Sequence, residues 1–167
     1  MAKAVGPTFS DTPAIAAQVN FTFLPMPDSL DPDPPPGGPK GCKEADKVDA
    51  CALHVTGCIH GCTADAAVKL ASFVACYEGS FKEGVCPGAE SKDTKCIESA
   101  GITKSDFESC LSDDDLVKQI QTDVYGRGQD VNSFPRVTIG GFPASMQSQD
   151  PQDFQKALCK HGVDAAC

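Results

Sequence analysis

Ten cysteines are scattered through this chain of 167 residues, and no two of them stand in a Cys-x-x-Cys spacing. An even number of cysteines at irregular intervals predicts a disulfide framework formed in an oxidising, non-cytosolic compartment. Its members are Cys42, Cys51, Cys58, Cys62, Cys76, Cys86, Cys96, Cys110, Cys159 and Cys167. Five bridges can be drawn in on the order of a thousand ways, so spacing leaves the connectivity open. With no Trp and 7% aromatic residues, the core must lean on aliphatic side chains and cross-links. The length suffices for one domain with a core of its own, and 41% hydrophobic content suits a globular chain.

Charge narrows the partners. A formal net charge of −9 argues against nucleic acid, whose phosphates would be repelled, and against anionic membrane surfaces. No apolar run approaches the ~18 residues of a membrane span. The start, Met1-Ala2-Lys3 with Gly6-Pro7 close behind, lacks the apolar stretch of a signal peptide. It reads as a mature form or a fragment.

Residues 1–16 read as the tail of a helix interrupted at Gly6-Pro7 and Pro13. Val19 to Leu24 alternates and is rich in aromatics, which predicts a strand. Within it Asn20-Phe21-Thr22 is a glycosylation sequon; an unmodified strand residue is at least as good a reading of Asn20. Residues 26–41 are a Pro/Gly-rich loop. Such segments are usually disordered alone, so we expect a protein partner or a larger assembly to hold it.

From residue 42 the period turns helical. Val48, Cys51, Ala52 and Val55 share one face, ended by Gly57. Cys58 to Cys62 makes a tight loop, and Thr63 caps a second helix bearing Val68, Ala71, Ser72 and Ala75-Cys76. A loop from Cys86 leads to short helices around Cys96-Ile97 and Phe107-Cys110-Leu111. Asp113, Asp114 and Asp115 sit at a helix start, where the macrodipole favours acid. Leu116, Ile120 and Val124 are that helix's stripe, with Gly126 and Gly128 at its end.

The closing stretch, Phe134-Pro135-Arg136-Val137-Thr138-Ile139-Gly140-Gly141-Phe142, places an X-Pro bond before a β-branched run and a Gly-Gly turn after it. Asp150-Pro151 then opens a helix, Asp as N-cap and Pro at the first helical position. Pro, strand, glycine hairpin and terminal helix together resemble the closing half of a thioredoxin-like domain.

The cysteine series is similar to that of the gamma-interferon-inducible lysosomal thiol reductase family. Val19-Asn20-Phe21-Thr22 with Leu24-Pro25 looks like that family's second strand. Cys42 with Lys47-Val48-Asp49-Ala50-Cys51, then Phe73 to Glu78, Cys86, Cys96 and Cys110, look like its helical insertion. Leu158-Cys159 with Cys167 looks like its C-terminal pair. The resemblance implies an α/β fold over residues 1–167: a thioredoxin-like sheet with a helical, Cys-rich insertion at 42–128. Residues 129–167 would then be the Pro-strand, hairpin and C-terminal helix. It also places the first strand and the catalytic Cys-x-x-Cys upstream of Met1.

Within the chain the nearest redox candidates are Cys58 and Cys62, with His60 between them. A low-pKa thiolate at a helix N-terminus is what a reductase needs, but the same spacing suits a local structural bridge, which we favour. His54, Cys58, His60 and Cys62 are also zinc donors by type; Cys-x-His-x-Cys is too cramped to wrap one ion. The Asp113 run lacks the spread of a calcium loop. We expect no metal and no cofactor. Two functions follow: a non-catalytic, disulfide-stapled structural or binding subunit with a protein partner, or a thiol-disulfide oxidoreductase whose Cys-x-x-Cys lies upstream. Phe134 and Pro135 would line a peptide groove in the second and an interaction edge in the first. Lysosome, secretory path, extracellular space and thylakoid lumen all suit the cysteine content.

Overall fold

Residues 64–79 carry two apolar stripes at helical spacing, and that double stripe organises the molecule. One stripe is small: Ala64, Ala67, Val68, Ala71 and Ala75. The other is large: Leu70, Phe73, Val74 and Tyr77. Ala and Leu are strong helix formers, and a helix apolar on two sides must be covered on both.

The computed structural model describes residues 2–24, 42–79, 92–128, 138–139, 142–143 and 150–167. In order these form α1 (Ala2–Asp11), α2 (Pro13–Gln18), α3 (Cys42–Thr56), α4 (Ala64–Gly79), α5 (Lys92–Ser99), α6 (Lys104–Leu111) and α7 (Asp114–Gly128). They continue with β1 (Thr138–Ile139), β2 (Phe142–Pro143), α8 (Pro151–Lys160) and a terminal 3₁₀ turn, Asp164–Ala166.

The large stripe of α4 faces α3, α5 and, through Phe107, α6, and α7 packs in turn on α3 and α6. There Val48, Leu53, Phe73, Tyr77, Ile97, Phe107, Val117, Ile120 and Val124 form one buried cluster. Phe73 lies near-parallel to Tyr77 at 5.5 Å and tilted against Phe107 at 5.8 Å. Each such side chain contributes roughly 1.5–3 kcal/mol by leaving water. Two bridges run through this cluster: Cys51–Cys110 ties α3 to α6, and Cys76–Cys96 ties α4 to α5.

The small stripe faces α1 and α2, and α8 packs in turn on α1. Val5, Phe9, Ile15, Ala16, Phe154, Leu158 and Val163 close over Ala67 and Ala71. The approach of α1 is close because of Gly6. A Cβ built there would lie 2.2 Å from that of Ala75 and 2.9 Å from the Ala71 carbonyl oxygen. The other two described bridges are local: Cys58–Cys62 and Cys159–Cys167 each close a short loop.

Helix ends follow their capping residues. Asp113 Oδ1 accepts from the Leu116 N–H at 3.0 Å, Thr63 Oγ1 from Ala66 at 3.3 Å, and Asp150 Oδ1 from Gln152 at 2.8 Å. At the end of α3 the Gly57 N–H bonds the His54 carbonyl and the Cys58 N–H bonds that of Leu53, a Schellman closure with Gly57 at φ 71°.

The fold overturns the α/β expectation. The described residues are helical, and their only strand pairing is two residues on two: Thr138 opposite Pro143 and Ile139 opposite Phe142. No layered thioredoxin-like sheet is present among them. The described helices of residues 42–128 carry the larger of the two buried clusters. The Val19–Leu24 strand is also absent. The alternation there is real, with Phe21 and Phe23 packed inward and Asn20 and Thr22 exposed. It is carried by an extended segment with no ladder partner among the described residues, because the aromatic anchoring is met by helices. At the N-terminus the break falls at Thr12-Pro13 only; α1 runs through Gly6-Pro7. Helix α7 likewise continues through Gly126. Ala157 is half-buried, whereas Phe154 and Leu158 are buried as expected.

Candidate functional site

The sequence's redox and modification candidates meet at one place, the loop between α3 and α4. The Schellman closure of α3 turns the chain so that Cys58 drops into the core, fully buried. The Gly61 N–H bonds the Cys58 carbonyl at 3.3 Å, tightening the turn. Cys62 then arrives half-buried just ahead of the Thr63 cap of α4 and is bonded to Cys58. Neither sulfur is therefore a thiolate, so neither is available as a nucleophile or a zinc ligand while the bridge stands. No group of three or more His, Cys, Asp or Glu side chains is gathered as a metal site among the described residues.

Around the loop stand residues from two other parts of the chain. His60, 78% exposed, places Nδ1 3.9 Å from Asp123 Oδ2 on α7. Arg127, one turn further along α7, donates from a terminal nitrogen to the same Asp123 oxygen at 3.0 Å. Its Nε is buried with no partner among the described residues. On the other side Asn20 lies over Gly61: a Cβ at Gly61 would meet the Asn20 Oδ1 at 2.9 Å. The arrangement is an oxidised, five-residue loop with a polar rim.

Asp123 and Arg127 were not singled out by the sequence. Their spacing of four on a helix signals an ion pair, but nothing in it signals their nearness to His60. His54, the fourth zinc donor by type, is exposed in the last turn of α3. Asp114 and Asp115 are exposed in the first turn of α7, and Lys47 donates to Asp114 Oδ1 at 2.8 Å. That hydrogen bond, with the charge of Lys47, holds the Asp114 carboxyl below its ordinary value.

The other candidates divide as follows. Cys51, Cys110, Cys76, Cys96, Cys159 and Cys167 are all in bridges. Cys42 opens α3, but its side chain, like Cys86, Phe134 and Pro135 and the Pro/Gly-rich segment 26–41, lies outside the described residues. Four bridges are the mark of an oxidising, non-cytosolic environment. No helix among the described residues is long and apolar enough to cross a membrane. Comparisons with known protein families, curated proteins and solved structures found no match to this chain.

Proposed function

We propose that this chain is a non-catalytic, disulfide-stapled helical module that serves as a structural or binding subunit for a protein partner in an oxidising compartment. The observation that carries the reading is the position of the two long bridges. Cys51–Cys110 and Cys76–Cys96 span 59 and 20 residues and have three of their four cysteines buried in the main core. Bridges so placed constrain the unfolded chain strongly and are shielded from exchange by their burial. They suit a scaffold. From the resemblance to the lysosomal thiol reductase family the reading takes the cysteine framework and the compartment, not the sheet.

A test is peptide mapping of native material after alkylation without reductant, beside its native size. The expected result is four intact bridges with the pairing above, helical circular dichroism that collapses on full reduction, and a native mass above the 17.4 kDa of the chain. Free alkylation at any of those eight bridged cysteines, or helicity untouched by reduction, would remove the scaffold; a partnerless monomer in its own compartment would remove the subunit.

A second reading, a thiol-disulfide oxidoreductase, is supported by one feature: the half-buried Cys62 at the entry of a 16-residue helix, with its partner Cys58 buried behind it. Here the diagnostic is selective reduction. If Cys58–Cys62 alone opened at a glutathione poise that left the other three bridges closed, and the product reduced a disulfide substrate, the enzyme reading would displace the scaffold.

A further inference from the structure

We propose that Asn20 is an N-glycosylation site and that its oligosaccharide stands over the Cys58–Cys62 loop. The inference rests on the compartment assigned under the proposed function. Asn20-Phe21-Thr22 is the chain's only Asn-x-Ser/Thr triplet with a non-proline centre. The structure presents it as an acceptor. After α2 the backbone is extended, with Val19 at φ −118° and ψ 141°. Residues i and i+2 of an extended chain share a face, and here the exposed pair is Asn20 and Thr22. Phe21 points the other way, edge-on to Phe9 at 5.1 Å with the rings 83° apart. That contact anchors the segment while both sequon side chains stay in solvent.

The chemistry needs an oxidising compartment that also holds a lipid-linked oligosaccharide and the transferase that uses it, as a secretory path does. The Asn20 Nδ2 attacks C1 of an oligosaccharide carried on a polyisoprenyl pyrophosphate. The N–C1 bond forms, the C1–O bond breaks, the lipid pyrophosphate leaves and Nδ2 gives up one proton. The product is an uncharged glycosylamide, so the acidic balance of the chain is unchanged. Its location has a consequence. The Asn20 amide rests against Gly61, so the first sugar lies beside the loop that holds Cys62. The bulk of a glycan there hinders approach of another protein's thiol to the bridge and leaves small thiols free to reach it. It also directs a protein partner to a face other than this one.

The test expresses the full chain behind a cleavable secretion signal in a eukaryotic secretory host, beside Asn20→Gln, Thr22→Ala and Thr22→Ser. The expected result is one oligosaccharide on the parent chain and on Thr22→Ser, removed by an amidase specific for Asn-linked glycans and absent from the other two. A bridged parent chain with no added mass overturns the proposal and leaves the oxidising compartment standing; failure of the bridges to form strikes the compartment instead. The placement is read separately by the rate at which a protein dithiol reduces Cys58–Cys62. Thr22→Ala keeps the Asn20–Gly61 contact without the sugar, so it should react several-fold faster than the glycosylated parent, with no difference towards a small dithiol. Equal rates towards the protein dithiol overturn the placement over the loop.

Discussion

The two faces of α4 are covered by two regions held together in different ways. Helices α3, α5 and α6 pack on the large stripe with α7 behind α3 and α6, and the cluster is cross-linked, α3 to α6 and α4 to α5. Helices α1 and α2 pack on the small stripe, α8 packs on α1, and among the described residues no bridge joins them to the rest. Their own bridge, Cys159–Cys167, is local to the end of α8. Both regions hold ring contacts; the first adds covalent ties, the second close backbone approach. The contrast shows two ways to stabilise a small helical assembly poor in aromatics. One lowers the entropy of the unfolded chain, and the other brings small residues close enough for dispersion to act over a long seam.

The comparison can be broken most forcefully at the long bridge. Replacing both Cys51 and Cys110 with Ala should cost about 4 kcal/mol by loop-closure entropy, read as a shift in denaturant midpoint. Replacing both Cys159 and Cys167 should cost only about 2–3 kcal/mol, since the loop is far shorter. Equal losses would mean that chain entropy is not what distinguishes the two regions.

The seam is tested by Gly6→Ala. The added methyl has no room against Ala75 and the Ala71 carbonyl, so α1 must move away, at about 1–3 kcal/mol for overpacking. Amide exchange should quicken in α1, α2 and α8 and stay slow in α3 and α6. Loss of protection spread evenly over both regions would show that they unfold as one unit.

A smaller effect belongs to the α8 cap. Asp150→Ala leaves the Gln152 N–H without its acceptor and should cost about 1 kcal/mol. It should loosen α8 and its packing on α1, with thermal melting as the measure.

The smallest effect is electrostatic and lies on the cross-linked side. Lys47 hydrogen-bonds Asp114 and lowers its carboxyl below 3.8. The folded value is below the unfolded one, so the pair's stabilisation is present above pH 3.8 and is lost as pH falls through the lowered folded value. Asp114 is exposed, so the gain is slight and salt-sensitive. In Lys47→Met the melting temperature should lie slightly below the parent's at neutral pH and meet it in acid. A gap that persisted in acid would assign the effect to the packing of the Lys47 stem.

Much of the helical half was legible because its signals are local. Val48, Cys51 and Ala52 share a buried face, Gly57 closes α3, Asp113 and Asp150 cap α7 and α8, and each depends on neighbours within one or two turns. Val19–Leu24 misled for a physical reason. Period-two alternation reports which side chains turn inward, not what covers them, and here helices cover Phe21. Gly6-Pro7 misled because a glycine that ends a helix and one that lets two helices touch look the same in sequence. In the candidate site Cys58, Cys62, His60 and Asn20 were readable as residue types; that Asn20, Asp123 and Arg127 surround one loop was not.

The sequence by itself determined that this chain builds capped amphipathic helices, carries a strongly acidic balance and bears enough cysteine to be stapled. Caps, periodicity and composition act over a few residues, so one chain suffices to read them. Only the tertiary structure decided that Cys51 meets Cys110, that α4 is covered on both sides, and that the aromatic strand-like segment lies on helices instead of in a sheet. Those outcomes depend on which distant surfaces fit each other, and the gain from burying them is settled among many near-equal alternatives that no local pattern distinguishes.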